Sequence, residues 1–351
     1  MREAVVKMDW RQLFAFAQKQ TILGVCLDGI ERLGKEYPEE IKQNPIKLDL
    51  LQTWISMGMQ IRKQNVRVNA VTAKLHAQLR EEGLRCCVLK GQGNALMYQN
   101  PYARTPGDVD MWVNASREQI IDYAKKHFEI GKDIRYQHLG TTLNNVPVEL
   151  HFVASMMNNP MYNNRLQKWF KRDTDLQCSN VVQLPDGAGE IAVPTVTFNV
   201  IYQLCHLYQH FFDEGIGMRQ MIDYYYVLMT FQQNVSDIVA LQHELIHLGL
   251  WNFAGAVMYV LYKVLGLSEE GMIAPMDVKR GELLLSEIMD GGNFGKHASK
   301  YGHFTQQGTA KKYFLKIWRN MHFVRYYPAE ALSEPIFRTW HFFWRLVHKA
   351  N

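Results

Sequence analysis

The spacing of apolar residues along this chain changes period twice. From residue 1 to about 82 they recur at steps of three and four, as in Leu13, Phe16 and Ala17, then Leu23, Leu27, Ile30 and Leu33. That is the spacing of one helix face. Residues 50–79 predict one long helix carrying Ile55, Met59, Ile61, Val66, Val71 and Leu75, with Pro38 and Pro45 breaking the chain before it. The middle differs. Residues 85–90 (RCCVLK) are a short apolar run flanked by charge and predict a buried strand, followed by a short helix over 91–99. Residues 108–113 (DVDMWV) alternate as a strand does. A helix is expected over 116–127, with Ser116 as N-cap and Glu118 in its first turn. Two strand-like runs then flank Asn144-Asn145, which predicts a β-hairpin, because Asn tolerates the positive φ of a type I′ turn. From about residue 195 the helical period returns, with Pro194 near the start of a helix over 195–212, and continues to the end. The expected fold class is α+β: an N-terminal helical region (1–82), a small mixed-sheet α/β core (83–180) and a C-terminal helical domain (181–351).

Composition narrows the class. Hydrophobic residues are 47% and charged residues 21% of 351, which excludes disordered, collagen-like and fibrous chains. Five scattered cysteines with no Cys-x-x-Cys pair exclude a disulfide scaffold and a zinc ribbon. Cys86 and Cys87 read as reduced thiols in a buried strand, which suits the cytoplasm. Charges interrupt the N-terminus, so no secretory signal is expected there. The longest strongly apolar uncharged stretch, 248–262, has 15 residues, short of the ~20 a membrane span needs. The net charge of +5 is concentrated in 311–351, where eight Lys or Arg face two Glu among 11 aromatic residues. Such a tail is able to bind nucleic acid or a membrane surface. Its stripe of Ile336, Trp340, Phe343 and Val347 predicts instead a core-facing helix with a solvated basic side.

Alternation also says where chemistry can gather. Residues two apart on a strand share a face, so Asp108 and Asp110 point one way while Val109, Met111 and Val113 point into the core. In the hairpin Val148, Leu150 and Phe152 face the core, and Glu149 and His151 share the other side. Neighbouring strands would then offer Asp108, Asp110 and Glu149 on one surface. Three clustered carboxylates repel one another, and a divalent cation removes the repulsion; hard oxygen ligands select magnesium or manganese. Upstream, LKGQGNAL (89–96) runs from strand through a Gly-rich turn into a helix. That arrangement lets backbone amides approach phosphate, with Lys90 adding positive charge.

Two further patterns compete. His206 and His210 lie four apart on one helix, followed by Arg219 and Asp223, again four apart. This face either projects toward a nucleotide or forms a polar seam with an Arg219–Asp223 pair. Residues 243–247 read HELIH, the spacing of His243, Glu244 and His247 in a zinc hydrolase helix. Such an enzyme needs a third ligand. No His follows at the required spacing, and Glu269 lies in a loop, so a solvated amphipathic helix is the simpler reading.

The run LKGQGNALMYQNPYARTPGDVDMWV (89–113), followed by VELHF (148–152), resembles an uncharacterised nucleotidyltransferase family of the DNA polymerase beta-type superfamily. The matching positions are Leu89, Lys90, Gly91, Tyr98, Pro101, Arg104, Gly107, Asp108, Asp110, Glu149, Leu150 and His151, and the helical flanks also look similar. The resemblance implies a mixed-sheet nucleotidyltransferase fold with two magnesium or manganese ions at Asp108, Asp110 and Glu149. It implies a nucleoside triphosphate held near Gly91, Gln92 and Gly93, with Lys90 and Arg104 balancing its charge. His151, His206, His210, Arg219 and Asp223 would stand behind or beside these groups. The acceptor is left open: a small molecule, a protein or a nucleic acid. The wider superfamily places Gly-Ser or Gly-Gly where this chain has Gly91-Gln92, so no hydroxyl is offered to phosphate there. That departure keeps a second function in play, a non-catalytic nucleotide-binding or regulatory module; zinc hydrolysis through HELIH is the third.

Overall fold

Capping side chains mark several element boundaries in the computed structural model, which describes residues 1–130, 134–233, 237–303 and 307–347. Asp9 accepts from the amides of Arg11 and Gln12 at the start of α2 (Trp10–Gln20). Ser116 and Gln119 form a reciprocal capping box at α7 (Arg117–His127). The N-terminal part consists of α1 (Arg2–Val6), α2, α3 (Leu23–Glu36), α4 (Pro38–Gln43) and the 34-residue α5 (Leu48–Glu81). Next come β1 (Cys86–Leu89), α6 (Gly91–Ala95), β2 (Val109–Val113), α7, β3 (His138–Leu143) and β4 (Val146–His151). The order is strand, helix, strand, helix, hairpin, as alternation and turn chemistry predict. Asn144 (φ 49°) and Asn145 (φ 60°) make the hairpin turn.

The sheet order is β1-β2-β4-β3. β1 runs antiparallel to β2, β2 parallel to β4, and β4 antiparallel to β3. The chain is therefore α+β, mostly helical around a small mixed sheet. One sheet face is sealed by α5 and α7, where Val68, Leu75, Leu79 and Ile120 join Val88, Met111, Val148 and Leu150 in one apolar cluster. The other face begins apolar, with Trp112 stacked on Phe198 at 5.8 Å between ring centroids, and becomes charged at Asp110, Glu149 and His151.

After β4 the chain forms α8 (Pro160–Arg172), α9 (Thr174–Ser179) and a two-stranded ribbon, β5 (Val181–Gln183) with β6 (Glu190–Ala192). These three-residue strands are too short to show alternation. Helices follow: α10 (Val196–Asp213), α11 (Met218–Gln233), α12 (Ile238–His247), α13 (Trp251–Val260), α14 (Val278–Gly291), α15 (Thr309–Phe323) and α16 (Pro328–Val347). α10 and α11 run through the large core and give it the fully buried Phe211, Phe212, Tyr202 and Tyr224. Among the described residues no single helix is long and apolar enough to cross a membrane.

One apolar expectation is met in part and another fails. Along α5, Ile55, Met59 and Val66 are exposed, while the buried stripe runs through Trp54, Ile61, Val68 and Leu75. In α16 the stripe expected to face the core faces outward, with Ile336 72%, Phe343 60% and Val347 80% exposed. The inward side instead carries Glu330, Ala331 and Glu334. Glu330 accepts from the amides of Asn158 and Asn159, and Glu334 accepts from Asn320 and pairs with Arg338. Polar partners distant in sequence decide which side of this helix is buried.

Candidate active site

The register of the sheet places the acids. Asp110 on β2 is paired with Glu149 on β4, and Trp112 with His151. Asp108 stands just before β2. One ligand atom from each of Asp108, Asp110 and Glu149 lies within 4.8 Å of the others. Asp110 is buried, Glu149 half-buried and Asp108 exposed.

Two cations already stand among these acids. Lys90 Nζ lies 3.0 Å from Asp110 Oδ2 and donates to His206 Nε2 at 3.2 Å. His151 Nε2 donates to Asp110 Oδ1 at 2.9 Å and lies 3.4 Å from Glu149 Oε2. Burial pushes the Asp110 carboxyl up, but Lys90 and His151 outweigh it and hold it well below the usual carboxylate range. Burial opposes the imidazolium of His151, but its bonds to Asp110 and Glu149 raise it to about 9. The charge of Asp110, then burial, raise Asp108 to about 6 against the pull of Lys90. Burial, followed by the charge of Lys90, keeps His206 neutral and lowers His210 to about 4.

Lys90 reaches this position through an unusual backbone. Its φ of 53° and ψ of −134° lie where a side chain costs about 1–3 kcal/mol, and Gly91 follows with φ 44°. The turn opens α6, whose first-turn amides, those of Gly91, Gln92 and Gly93, have no acceptor within the helix. The Gln92 side chain turns away from the cleft and donates to Asn69. Gly93 packs on Val193, where an added Cβ would sit 2.9 Å from Cγ1. Of the three, Gly91 lines the cleft.

The cleft beside these acids is narrow, about 40 Å³, and opens to solvent. Asp108, Asp110, Lys90 and His206 line it together with Arg104, Arg219 and Phe294. Arg104 forks onto Asp223 with Nε–Oδ1 and Nη2–Oδ2 both at 2.8 Å, and Tyr98 donates to Asp223 at 2.6 Å. The expected Arg219–Asp223 pair does not form, because Arg104 takes the carboxylate. Arg219 Nη1 donates instead to the Thr105 carbonyl at 3.2 Å, and its Nε is buried without a partner. The loop bearing Arg104 is fixed from two sides. Asn65 donates to the carbonyls of Tyr102 and Arg104. Gly24 lets α3 touch Ala103, where a Cβ would stand 2.3 Å from the carbonyl oxygen. His210 stacks edge-on to His206 at 4.3 Å and stands behind it.

As a donor set, three hard carboxylates facing a cleft fit a divalent cation. Lys90 and His151 supply two positive charges against three negative ones, and among the described residues Asp108 makes no ion pair. Both oxygens of Asp110 are engaged, so the set suits one ion at Asp108 and Glu149 more readily than two.

The sequence reading overlooked His138. It sits on β3 directly across from His151, with ring centroids 5.1 Å apart, and its Nδ1 lies 3.3 Å from Glu149 Oε2. Burial, then the charge of His151, lower it to about 3. The HELIH segment forms α12, with His243 and His247 exposed and Glu244 paired to Arg172 at 2.8 Å. Among the described residues no metal-binding trio includes either histidine.

A family described as uncharacterised nucleotidyltransferase has a sequence model that matches residues 7–266. No curated protein matches the chain. Among solved structures, the crystal structure of an antigenic nucleotidyltransferase-like protein from Paracoccidioides brasiliensis is similar. The match has 16% identity and a TM-score of 0.35, covering 61% of this chain and 96% of that one.

Proposed function

The chain belongs to the uncharacterised nucleotidyltransferase family whose model spans residues 7–266, and from that premise we propose that it transfers a nucleoside monophosphate from a nucleoside triphosphate to an acceptor hydroxyl or phosphate. The observation that carries this reading is the gathering of Asp108, Asp110 and Glu149 within 4.8 Å, beside a cleft that Lys90, Arg104 and Arg219 also line. The acids would hold magnesium or manganese, which when bound supplies charge neutralisation at the phosphates and a more acidic attacking oxygen. Lys90, the nitrogens of Arg104 and Arg219 that have no hydrogen-bond partner among the described residues, and the Gly91 amide would offer donors to the triphosphate. Glu149, on the strand beside Asp110, would take the acceptor's proton. The five cysteines are free, which suits a reducing compartment such as the cytoplasm.

The test is calorimetric titration of the four ribonucleoside triphosphates with magnesium or manganese, into wild type and into Asp108→Asn/Asp110→Asn. Wild type should bind in a metal-dependent way, and the double variant at least about 100-fold more weakly. Equal binding by both proteins would place the nucleotide elsewhere. The non-catalytic alternative is favoured by Gln92, which stands where a hydroxyl is usual and points to Asn69. It predicts the same binding with no pyrophosphate release under any acceptor, protein self-modification included.

A further inference from the structure

We propose that His138, Glu149 and His151 form a metal site of their own, selective for a borderline first-row ion such as zinc or cobalt(II) rather than magnesium. One ligand atom from each of the three lies within 4.8 Å of the others. A tetrahedral zinc site with bonds of about 2.0–2.1 Å has ligand-to-ligand edges of about 3.3–3.4 Å. His138 Nδ1 lies 3.3 Å and His151 Nε2 lies 3.4 Å from the same oxygen, Glu149 Oε2. His138 Nδ1 is buried and makes no hydrogen bond despite that short approach. Its direction therefore misses the line a proton needs, while two ligands sharing one ion have no such requirement.

The hairpin builds this trio from backbone register. His138 and His151 are cross-strand partners, and Glu149 precedes His151 by two residues on the same face. Opposite Glu149 stands Gly140, where an added Cβ would meet nothing within 4 Å. Space beside the trio is thus open, leaving a coordination position for water or a substrate oxygen, as in catalytic rather than structural sites. Two imidazoles shift selectivity from magnesium toward zinc and cobalt. Binding needs neither Asp108 nor displacement of Lys90; it releases the proton that His151 Nε2 shares with Asp110. The site shares Glu149 with the proposed nucleotidyl-transfer centre, but it binds metal without nucleotide, so either proposal can fail alone.

Metal-free full-length protein is titrated with cobalt(II), read by visible absorption, and with zinc, read by calorimetry. Wild type should show the intense bands of four- or five-coordinate cobalt. His138→Ala should lose at least about 100-fold in affinity for both ions, whereas His243→Ala keeps it. In wild type, zinc should shift the NMR resonances of two imidazole nitrogens, one on His138 and one on His151, a readout independent of any variant's folding. Weak octahedral bands, zinc affinity unchanged by His138→Ala, or loss on His243→Ala would each overturn the site.

Discussion

Two walls of one cleft carry carboxylates, and they are in opposite chemical states. Asp223, on α11, accepts a bidentate fork from Arg104 and a hydroxyl from Tyr98. Asp108, on the wall that β2 supplies, makes no ion pair among the described residues and is crowded by Asp110. The pair of Arg104 and Asp223 is closed: both side chains are 6% exposed and every charge has its complement. The acids at β2 and β4 exceed their cations by one. Both walls hold buried charge, so buried charge alone does not mark a site of chemistry. An excess facing an opening does, because it can be relieved only by something that enters. A third case, at the C-terminal end of α10, supports the distinction. Asp213 is answered by Lys316 at 2.7 Å and Arg338 at 3.0 Å, and it ties α10 to the C-terminal hairpin as a strut.

The comparison breaks first at Asp223. If the closed pair is structural, Asp223→Ala leaves the Arg104 guanidinium buried and unpaired, which costs about 3–5 kcal/mol. Replacing both partners, as Arg104→Met with Asp223→Leu, should recover most of that loss in denaturant melts. A small loss in the single variant would mean that Arg104 readily turns into the cleft and belongs with the open wall.

Glu330 sharpens the contrast, being a buried carboxylate answered by hydrogen bonds from Asn158 and Asn159. Burial raises it to about 7, against the pull of the Asn158 and Asn159 amides. The folded protein therefore binds this proton more tightly than the unfolded chain does. Its contribution to stability is full below about pH 4.5 and is lost as pH rises through about 7, a change of about 3 kcal/mol. Wild-type melts across that range should carry this slope, and Glu330→Gln melts should lack it. Identical slopes would show that the carboxylate ionises freely where it lies.

Much of this architecture was legible because it rests on local rules. Ser116 and Gln119 announce α7, Asn144-Asn145 announces the hairpin, and alternation puts Asp108 with Asp110 and Glu149 with His151. The two-residue turn also pairs Leu143 with Val146, and counting back five places pairs His138 with His151. The sign of that histidine was therefore present and went unused. What local rules do not carry is pairing across distance. Nothing near Asp223 says that Arg104 rather than Arg219 will claim it. Nothing in α16 says that Glu330 and Glu334 will find partners at Asn158, Asn159 and Asn320 and so turn Ile336 and Phe343 outward. The parallel pairing of β2 with β4, which brings Asp110 to Glu149, likewise depends on strands separated by a helix and another strand.

The smallest effect is the most diagnostic for the open wall. The folded-state value of about 6 for Asp108, against an ordinary 3.8, means that the native protein holds this proton more tightly than the unfolded chain. Asp108 therefore favours the folded state below about pH 4, and this contribution is lost as pH rises through about 6. Fully buried, the gap would correspond to about 3 kcal/mol; for an exposed carboxylate, solvent screening reduces it to about 1 kcal/mol. Asp108→Asn should therefore be more stable than wild type by about that amount at pH 8 and indistinguishable from it at pH 4. The same substitution should weaken metal-nucleotide binding, and wild-type binding should itself decline below about pH 6 as protons compete for the carboxylate. A variant that gains stability while losing binding holds an acid kept against its own repulsion, the signature of a site kept for a ligand. A variant that loses stability at pH 8 would make Asp108 a structural residue and put both walls of the cleft in the same class.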